Sequence, residues 1–428
     1  MAKAQWGLNP DILRTIFYTV VEPTILYAAG AWGSIAARVY AKKRLDSVTR
    51  AFAIKISKAH RTVSLISSAT MARILPLDLR LSEQLELYEI KRGKPMSQLP
   101  GRELQIRVHP STLPHPARRR RWEFSWVTEA EQIETSEAWN YYTDGSKIEG
   151  KVGAAVSVWE GDEEIQHASF RLENYCTVFQ AEMMALHKAT DMVLKSNRTA
   201  TIHSDSRAAL QAVSNPNTLN PIAVEIRGKI EAAKEKGRPV QLKWIKAHVG
   251  LAGNERADEL AKQAALHNKR APAYDKFPIS YAKKTIRALT IEKWQNRYET
   301  AEQGAGTRLF FDSVRTSNKV MGKIVSSNII AQMLTGHGGF KQYLHRFKLA
   351  NDPFCPCDGS SEETVTHILI ECTRFENERW QCEMNTDTRL TQRSLKQLMA
   401  DDKTRGHLLK FSLKVLKAAA RANGSTAL

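Results

Sequence analysis

Apolar residues recur at helical spacing through the first part of the chain. This period runs from residue 8 to about residue 97, and Pro23 and Pro76 interrupt it. It predicts a helical region over residues 1–100. The next segment, residues 101–137, has little periodicity and contains a run of arginines from Arg118 to Arg121. We interpret it as a Pro- and Arg-rich linker whose arginines are solvated, contact phosphate or form a localisation signal.

A β pattern begins at residue 138, where three strand-like segments follow one another with short turns between them. A strong helix comes next, with Thr177 and Gln180 at the spacing of a capping box. Two further strands and three further helices complete the order β-β-β-α-β-α-α-β-α. This order predicts an α/β domain over residues 138–270, with a mixed five-stranded sheet and flanking helices.

Helical character returns after this domain. We predict a helical region over residues 271–350, a compact segment with cysteine and histidine over residues 351–380, and a basic helical tail over residues 381–428. A chain of 428 residues exceeds the size of one ordinary core, so several domains are expected.

The overall charge favours a polyanionic partner. The net charge is +18, and lysine and arginine release counterions when they bind phosphates. The chain has five cysteines, an odd number, and four lie in one C-terminal segment, which is unlike a secreted disulfide framework. It has no 18-residue apolar run and no signal-peptide core. We therefore expect an intracellular protein without a membrane partner, and leave open both nucleus or cytoplasm and the oligomeric state.

Four carboxylates lie where strands end and helices begin in the α/β pattern. Asp144 is predicted to close the first strand and Asp205 the fourth, whereas Glu182 and Asp258 lie near the starts of two helices. At one edge of a sheet these groups would repel one another unless divalent cations lay between them. Mg²⁺ or Mn²⁺ suits carboxylate oxygen, and two ions about 4 Å apart activate water in phosphodiester cleavage. A basic protein with this arrangement is a nuclease candidate.

Each carboxylate also has an ordinary interpretation. Asp144 fits a hairpin turn, Glu182 the positive end of a helix dipole, Asp205 a helix N-cap, and Asp258 an ion pair with a lysine of its helix. Their joint order and spacing favour one common site over four separate explanations.

The stretches around these residues resemble the type 1 ribonuclease H fold, in the family's order and within residues 138 to 267. They read YYTDGSK, FQAEMMAL, IHSDSRAAL and IKAHVGLAGNERADELAK. The resemblance implies two divalent ions, Mg²⁺ or Mn²⁺, held by Asp144, Glu182, Asp205 and Asp258. It also implies that His248 assists proton movement or product departure.

The same resemblance implies a substrate, the RNA strand of an RNA–DNA hybrid, which the 2′-OH distinguishes from DNA. Some members of the family carry an extra basic helix as a substrate handle. This chain has only SNPNTLNP in that place. We therefore expect the flanking regions or the linker arginines to grip the nucleic acid.

The N-terminal flank extends the resemblance to non-LTR retrotransposons. VVEPTILYAAGAWG and the helices after it are similar to the thumb-like region that follows the polymerase core in their reverse transcriptases. A polymerase needs paired aspartates at a β-turn, and the adjacent pair Asp401-Asp402 lies in a basic, helix-like setting instead. We predict the C-terminal part of such a polyprotein, without the polymerase palm.

Four metal-binding side chains cluster near the C-terminus, with the spacing C-x-C-x9-H-x4-C: Cys355, Cys357, His367 and Cys372. Three thiolates and one imidazole suit tetrahedral Zn²⁺, and similar Cys–His segments follow the nuclease in these retroelements. The alternative is a set of reduced cysteines in a helical hairpin. Cys382 and Cys176 are expected to lie outside the site.

Three functions remain after these observations. The first is a metal-dependent ribonuclease H from a retrotransposon polyprotein. The second is a catalytically idle nucleic-acid-binding remnant, and the third is an accessory region of a reverse transcriptase. The carboxylates favour the nuclease, because a binding module gains nothing from clustered negative charge that faces phosphate.

Overall fold

The computed structural model describes residues 8–119, 121–127, 138–196, 198–267 and 269–424. The chain folds into two compact units, one formed by Met1–Tyr88 with Ile286–Leu428 and the other by Glu89–Thr285. The two ends of the chain therefore belong to the same unit. The six consecutive segments inferred from the sequence stay a prediction as domains.

The helical region predicted at the N-terminus is present, and its described helices are α1 (Pro10–Ile16), α2 (Glu22–Leu26), α3 (Ala29–Trp32), α4 (Val39–Ser57), α5 (Leu65–Ala72) and α6 (Leu77–Lys91). Pro23 lies in the first turn of α2, and Pro76 directly precedes α6. Pro76 is tolerated because the first N–H groups of a helix have no partner within it, whereas Pro23 directly follows the π-helical turn Phe17–Val21, through which α1 continues into α2. The Ser64 side chain caps α5 by accepting a hydrogen bond from the Ser67 amide.

A six-stranded sheet lies in the second unit, with strands β1 (Ser125–Val127), β2 (Trp139–Ile148), β3 (Lys151–Glu160), β4 (Glu163–Leu172), β5 (Ala200–Ser204) and β6 (Val240–Ile245). Its helices are α7 (Val178–Lys195), α8 (Arg207–Ser214), α9 (Pro221–Glu235) and α10 (Ala252–His267). The strand order is β1-β6-β5-β2-β3-β4. β2 to β4 form the antiparallel meander, and β5, β6 and β1 continue the sheet in parallel.

The five predicted strands are confirmed, and β1 is an addition from the segment that we interpreted as a linker. It pairs in parallel with β6, with Ser125 opposite Lys243. Without it, β6 would leave a row of backbone groups unpaired at the edge of the sheet. Three residues are too short for a periodic signal, which explains why the sequence pattern did not reveal this strand.

The predicted end of the first strand was wrong. β2 continues past Asp144 to Ile148, and the turn that follows is formed by Glu149 and Gly150, both with positive φ. Asp144 lies within the strand, opposite Ala155 of β3. The Asp-Gly pair resembles a turn, but Gly145 is required here for another reason.

That reason is the close packing of helices on the two faces of the β2–β3 hairpin. A Cβ atom on Gly145 would lie 2.3 Å from the backbone nitrogen of Glu182 in α7. On β3, a Cβ atom on Gly153 would lie 2.3 Å from the backbone oxygen of Ala261 in α10. Both distances are far shorter than a carbon contact allows, so glycine lets each helix approach the sheet.

The apolar core of the second unit lies mainly between the sheet and α7, whose start carries the predicted capping box. Thr177 and Gln180 make both of its hydrogen bonds. Val156 and Val158 of the sheet and Met183 and Leu186 of α7 are completely or almost completely buried there. A smaller cluster around Tyr142 and Ile245 includes Ala257 of α10.

The C-terminal part of the chain is helical, as predicted, with α11 (Ile279–Thr300), α12 (Ala305–Arg308), α13 (Val314–Met321), α14 (Asn328–Thr335), α15 (Lys341–Arg346), α16 (Val365–Ile370), α17 (Glu376–Thr386), α18 (Gln392–Ala400) and α19 (Asp402–Ala422). Val63 and Met71 share a core with Phe310, Leu334 and Leu408. Within the described ranges no single helix is long and apolar enough to cross a membrane. One pair of helices joined by a bend, Pro10–Leu26 with Ala29–Ala37, has the length and apolar composition of a membrane span when the two are taken together.

Replacement of Gly145 by alanine should separate α7 from the sheet. We expect Gly145→Ala to lower the free energy of unfolding by about 2 kcal/mol or more, because the new methyl group meets backbone atoms that cannot rotate away. Gly228→Ala is the matched control. Gly228 is exposed inside α9 with no atom within 4 Å of an added Cβ, so this variant should gain about 0.5–1 kcal/mol. Urea unfolding followed by circular dichroism measures both, and changes of equal sign and size would refute the contact.

Candidate functional site

Three of the four predicted carboxylates meet at one edge of the sheet. Asp144, Glu182 and Asp205 each offer an oxygen atom, and these atoms lie within 4.8 Å of one another. The parallel register places Thr143 opposite Ser204, so Asp144 and Asp205 follow on neighbouring strands. α7 brings Glu182 to the same point through its contact with Gly145.

The geometry of this group, which we call the carboxylate centre (Asp144, Glu182 and Asp205), is electrostatically unfavourable without a cation. Asp144 and Glu182 are each only 7 % exposed. Asp144 Oδ2 and Glu182 Oε2 are buried and have no hydrogen-bond partner in the described part of the chain. Two buried acceptors without donors, side by side, are a typical environment for a bound cation.

The pKa values of the carboxylates record the same repulsion. Burial raises the pKa of Asp144 to about 7, and the charges of Asp205 and Asp258 add to the shift. Burial, followed by the charges of Asp144 and Asp205, raises the pKa of Glu182 well above its ordinary value. Burial also raises the pKa of Asp205, against a hydrogen bond from Asn254 and the charge of His248. A divalent ion would offset these penalties by stabilising the ionised forms.

Asp258 lies outside the compact group, although its charge reaches Asp144. It is in the second turn of α10, and its Oδ2 accepts a hydrogen bond of 2.6 Å from Lys262 Nζ. Asp258 therefore forms the ion pair within its own helix that the ordinary interpretation predicts, and its role as a metal ligand stays a prediction. His248 is exposed and has positive φ, in the loop between β6 and α10.

Two polar groups at the centre were missed by the sequence argument. The Gly145 amide lies beside the carboxylates of Asp144 and Glu182 and lowers their pKa values in part. The Asn254 side chain, almost fully buried, lowers the pKa of Asp205 in part. Asn254 lies in the stretch GNERAD at the start of α10, and a polar residue at a buried helix start could have indicated a contact with the carboxylates.

The cysteine and histidine residues of the C-terminal segment also come together. Each of Cys355, Cys357, His367 and Cys372 offers a ligand atom, and these atoms lie within 4.8 Å of one another. The sulfur atoms of Cys355 and Cys372 are 3.7 Å apart, and Cys357 Sγ lies 3.3 Å from His367 Nε2. Tetrahedral zinc with Zn–S bonds of about 2.3 Å requires sulfur atoms about 3.8 Å apart, so the donor set fits this ion.

Neighbouring side chains support the four donors. His367 Nδ1 lies 3.4 Å from a carboxylate oxygen of Glu371, the kind of partner that orients a metal-bound imidazole. Arg374 Nη1 lies 3.8 Å from Cys355 Sγ and 3.2 Å from the buried carboxylate of Glu363. Burial and the neighbouring thiols raise the pKa of Cys357 to about 12. A bound metal ion would favour the thiolate form of Cys357.

The remaining candidates lie elsewhere. Cys382 is buried in the same core without joining the four donors, and Cys176 is buried in the second unit. Asp401 caps α19 by accepting hydrogen bonds from the amides of Lys403 and Thr404. Asp402 forms ion pairs with Lys323 and Arg405. The adjacent aspartates are therefore used in helix capping and ion pairing.

Comparison with known proteins identifies the second unit. The family model described as RNase H matches residues 136–266. A ribonuclease H from Campylobacter jejuni is 30% identical over 132 residues, an alignment that covers 29% of this chain and 89% of the relative. The chain belongs to the ribonuclease H family. The resemblance inferred from the four sequence stretches is thereby confirmed.

The retroelement part of that resemblance is also confirmed. A Pol polyprotein of the type-1 retrotransposable element R1 from Bradysia coprophila is 34% identical over 102 residues, 23% of this chain and 10% of the relative. Another, from Popillia japonica, is 24% identical over 206 residues, 47% of this chain and 78% of the relative. The chain spans between 9% and 21% of the length of three of the R1 relatives that it matches. It contains a ribonuclease H domain of a non-LTR retrotransposon.

Parts of the chain also match solved structures. The ribonuclease H domain is similar to LC11-RNase H1, solved in complex with an RNA/DNA hybrid, at 21% identity and a TM-score of 0.25. That alignment covers 30% of this chain and 96% of the other. A foamy viral protease–reverse transcriptase solved with dsDNA matches at 19% identity and a TM-score of 0.28, covering 31% of this chain and 97% of the other.

Neutralisation of Asp144 should stabilise the protein when divalent ions are absent. The folded-state pKa of about 7 lies above that of an unfolded carboxyl group, about 4, so the folded state binds more protons between these values and loses stability as pH rises through them. Asparagine replaces the protonated form. We expect Asp144→Asn in EDTA to raise the melting temperature, and to raise it more at about pH 8 than at about pH 5.

The matched control for this measurement is Asp162→Asn, at an exposed turn position. Calorimetry at the two pH values compares both variants with the unmodified chain. A gain for Asp144→Asn that does not grow with pH, or an equal gain for Asp162→Asn, would contradict repulsion at the centre.

Proposed function

We propose that residues 138–270 form a metal-dependent endoribonuclease that hydrolyses the RNA strand of RNA–DNA hybrids, as part of a retrotransposon polyprotein. The observation that carries the proposal is the carboxylate centre, with its two buried oxygen atoms that lack donors. The similarity to a bacterial ribonuclease H supports the same reaction. The net charge of +18 supports a nucleic-acid substrate.

Asp144, Glu182 and Asp205 would hold divalent cations, Mg²⁺ or Mn²⁺, and Asp258 would complete the set from α10. When bound, two such ions activate a water molecule and stabilise the leaving oxygen of a phosphodiester. The oxygen-only donor set suits hard cations. The Gly145 amide and the Asn254 side chain favour the ionised carboxylates, since each lowers the pKa of the carboxyl groups beside it.

His248 would assist proton movement or product departure. It is exposed, its charge reaches Asp205, and it belongs to a loop that contains Gly250, also with positive φ. Imidazole is the side chain that most often transfers protons in enzymes, and the exposed position leaves His248 open to solvent. Discrimination of RNA from DNA would depend on contacts to the 2′-OH.

We also infer that Cys355, Cys357, His367 and Cys372 hold one Zn²⁺. The donor chemistry and the separations of the sulfur and nitrogen atoms support this, and so does the carboxylate beside His367 Nδ1. All four positions are protein ligands, which is the pattern of a structural ion. Its role would be to stabilise the helices that surround it.

Hybrid cleavage tests the nuclease proposal directly. A labelled RNA–DNA hybrid is incubated with the full chain in Mg²⁺ or Mn²⁺, beside RNA and DNA duplexes of the same sequence. Asp205→Asn should lower the rate by more than about 100-fold, since it weakens the hold on the cations. Asp258→Asn should cost less, because Asp258 lies outside the compact group. Asp162→Asn is the surface control. Equal cleavage by Asp205→Asn and the unmodified chain, or none by the latter in either metal, would refute the proposal.

Metal analysis tests the zinc inference. Purified protein should contain about one zinc ion per chain, and Cys357→Ser should lose it and melt at a lower temperature. Cys382→Ser is the control, because Cys382 is buried near the segment but outside the four donors. Zinc content near zero, or a chelator that leaves the melting temperature unchanged, would count against the site.

A further inference from the structure

Residues 104–119 and 121–127, which we call the strap, lie along the ribonuclease H unit. Three backbone hydrogen bonds mark its path. The Gln105 amide donates to the Phe277 carbonyl at 2.8 Å, and the Val108 amide donates to the Leu219 carbonyl at 3.0 Å. The Trp122 amide donates to the Ser214 carbonyl at 3.3 Å. The segment that the sequence suggested was a linker is thus held to the nuclease unit at several points.

The arginine-bearing end of the strap has further anchors. Arg119 Nη1 donates a hydrogen bond of 3.0 Å to Asn217 Oδ1, and its Nε donates to the Pro114 carbonyl at 2.6 Å. The guanidinium carbon of Arg227 in α9 lies 4.1 Å from the centre of the Trp122 ring, which is a cation–π contact. The strap then enters the sheet as β1. The backbone around the arginines is therefore held from both sides.

The arginines themselves project positive charge from this fixed backbone. Arg118 and Arg121 are exposed, and among the described residues neither has an ion-pair partner. Arg120 lies outside the described residues. By contrast, the guanidinium of Arg102, before the strap, is neutralised by Glu173 and Asp275, both at 2.7 Å. Unpaired charge on an anchored segment favours an anionic partner over a role in folding.

The strap also lies within reach of the carboxylate centre. Its contacts at Ser214 and Asn217 adjoin the end of α8, and α8 begins two residues after Asp205. Eight helical residues span about 12 Å. One strand of a nucleic-acid duplex rises about 3.4 Å per nucleotide, so this distance corresponds to roughly four nucleotides. A duplex that runs from the centre along α8 would thus have phosphates near the part of the strap that contacts Ser214 and Asn217.

We propose that Arg118 and Arg121 bind backbone phosphates of the nucleic-acid duplex whose RNA strand enters the carboxylate centre. This inference rests on the proposed ribonuclease H function and adds the surface that positions its substrate. The strap brings these arginines to the loop between α8 and α9, which carries no lysine or arginine between Ser214 and Ile226. Phosphate contacts of this kind fix the register of a duplex without reading its sequence.

Binding measurements on the full chain test the proposal, with Asp205→Asn as the background so that the hybrid stays intact. A labelled hybrid of about 20 base pairs is titrated at several salt concentrations. Arg118→Gln with Arg121→Gln should weaken binding by on the order of tenfold at about 0.1 M salt. The slope of log K against log salt should become shallower by about 1.8, or about 0.9 for each lost phosphate contact. Replacing both arginines by lysine should largely preserve the slope.

The matched control is Lys195→Gln with Arg198→Gln, which removes the same charge near the far end of α7. Lys195 is 13 residues beyond Glu182, about 20 Å along the helix, and both side chains are exposed. This pair should leave affinity and slope unchanged. Equal losses of affinity and slope in the two double variants would show that binding depends only on the net charge of the chain, and would overturn the proposal.

Cleavage by the otherwise unmodified chain separates the two proposals. If it cleaves hybrid and the strap variants bind with unchanged affinity and slope, the strap proposal is overturned while the nuclease stands. Reduced cleavage at low hybrid concentration, with an unchanged single-turnover rate at saturation, supports the strap as a binding surface. If the chain cleaves no hybrid but loses affinity only in the strap variant, the nuclease proposal fails and the phosphate surface remains.

Discussion

The carboxylate centre depends on one contact, the approach of the α7 backbone to Gly145. A Cβ atom on residue 145 would lie only 2.3 Å from the backbone nitrogen of Glu182, so no side chain fits between the helix and the strand. That closeness brings Glu182 to Asp144 and places the Gly145 amide where it lowers the pKa of both carboxyl groups in part. The parallel pairing of β2 with β5 then adds Asp205 by register alone. Loss of the close approach would dissolve the group even if every acidic residue were kept.

The protein holds three carboxylates together although they repel one another, and the free energy gained by its apolar packing offsets this repulsion. The sheet and α7 bury a continuous core of aliphatic side chains on one side, while α10 packs against β3 at Gly153 on the other. Each buried aliphatic side chain contributes about 1.5–3 kcal/mol, enough in sum to offset the carboxylate repulsion. The unfavourable electrostatics are local, and bound cations would offset them. The ionised carboxylates therefore lower the stability of the fold at the centre, and the apolar core compensates for this loss.

Much of this arrangement could be predicted from the sequence, because element order and the spacing of acidic residues are properties of the chain itself. The capping box of Thr177 and Gln180 and the meeting of Asp144 with Asp205 followed from such local rules. The position of Asp144 inside β2 could not be predicted in this way, because the dipeptide Asp-Gly occurs both in turns and where a helix packs closely on a strand. Only the position of α7 distinguishes the two. The docking of the strap was also hidden, because its hydrogen bonds use backbone groups of an aperiodic segment.

The two candidate metal centres differ in what their surroundings permit. The thiol set is closed, since four protein donors complete a tetrahedron and Glu363 binds the segment to its neighbours. Glu363, fully buried, accepts hydrogen bonds from the Lys341 amide and from Asn423 near the end of α19, besides its ion pair with Arg374. An ion there can only strengthen this network. The carboxylate centre offers oxygen ligands at the edge of a sheet and leaves coordination positions for a phosphate. The two donor sets therefore differ in type and closure: the thiol set suits an ion that would stabilise the fold, and the carboxylate set suits ions that would also contact a phosphate.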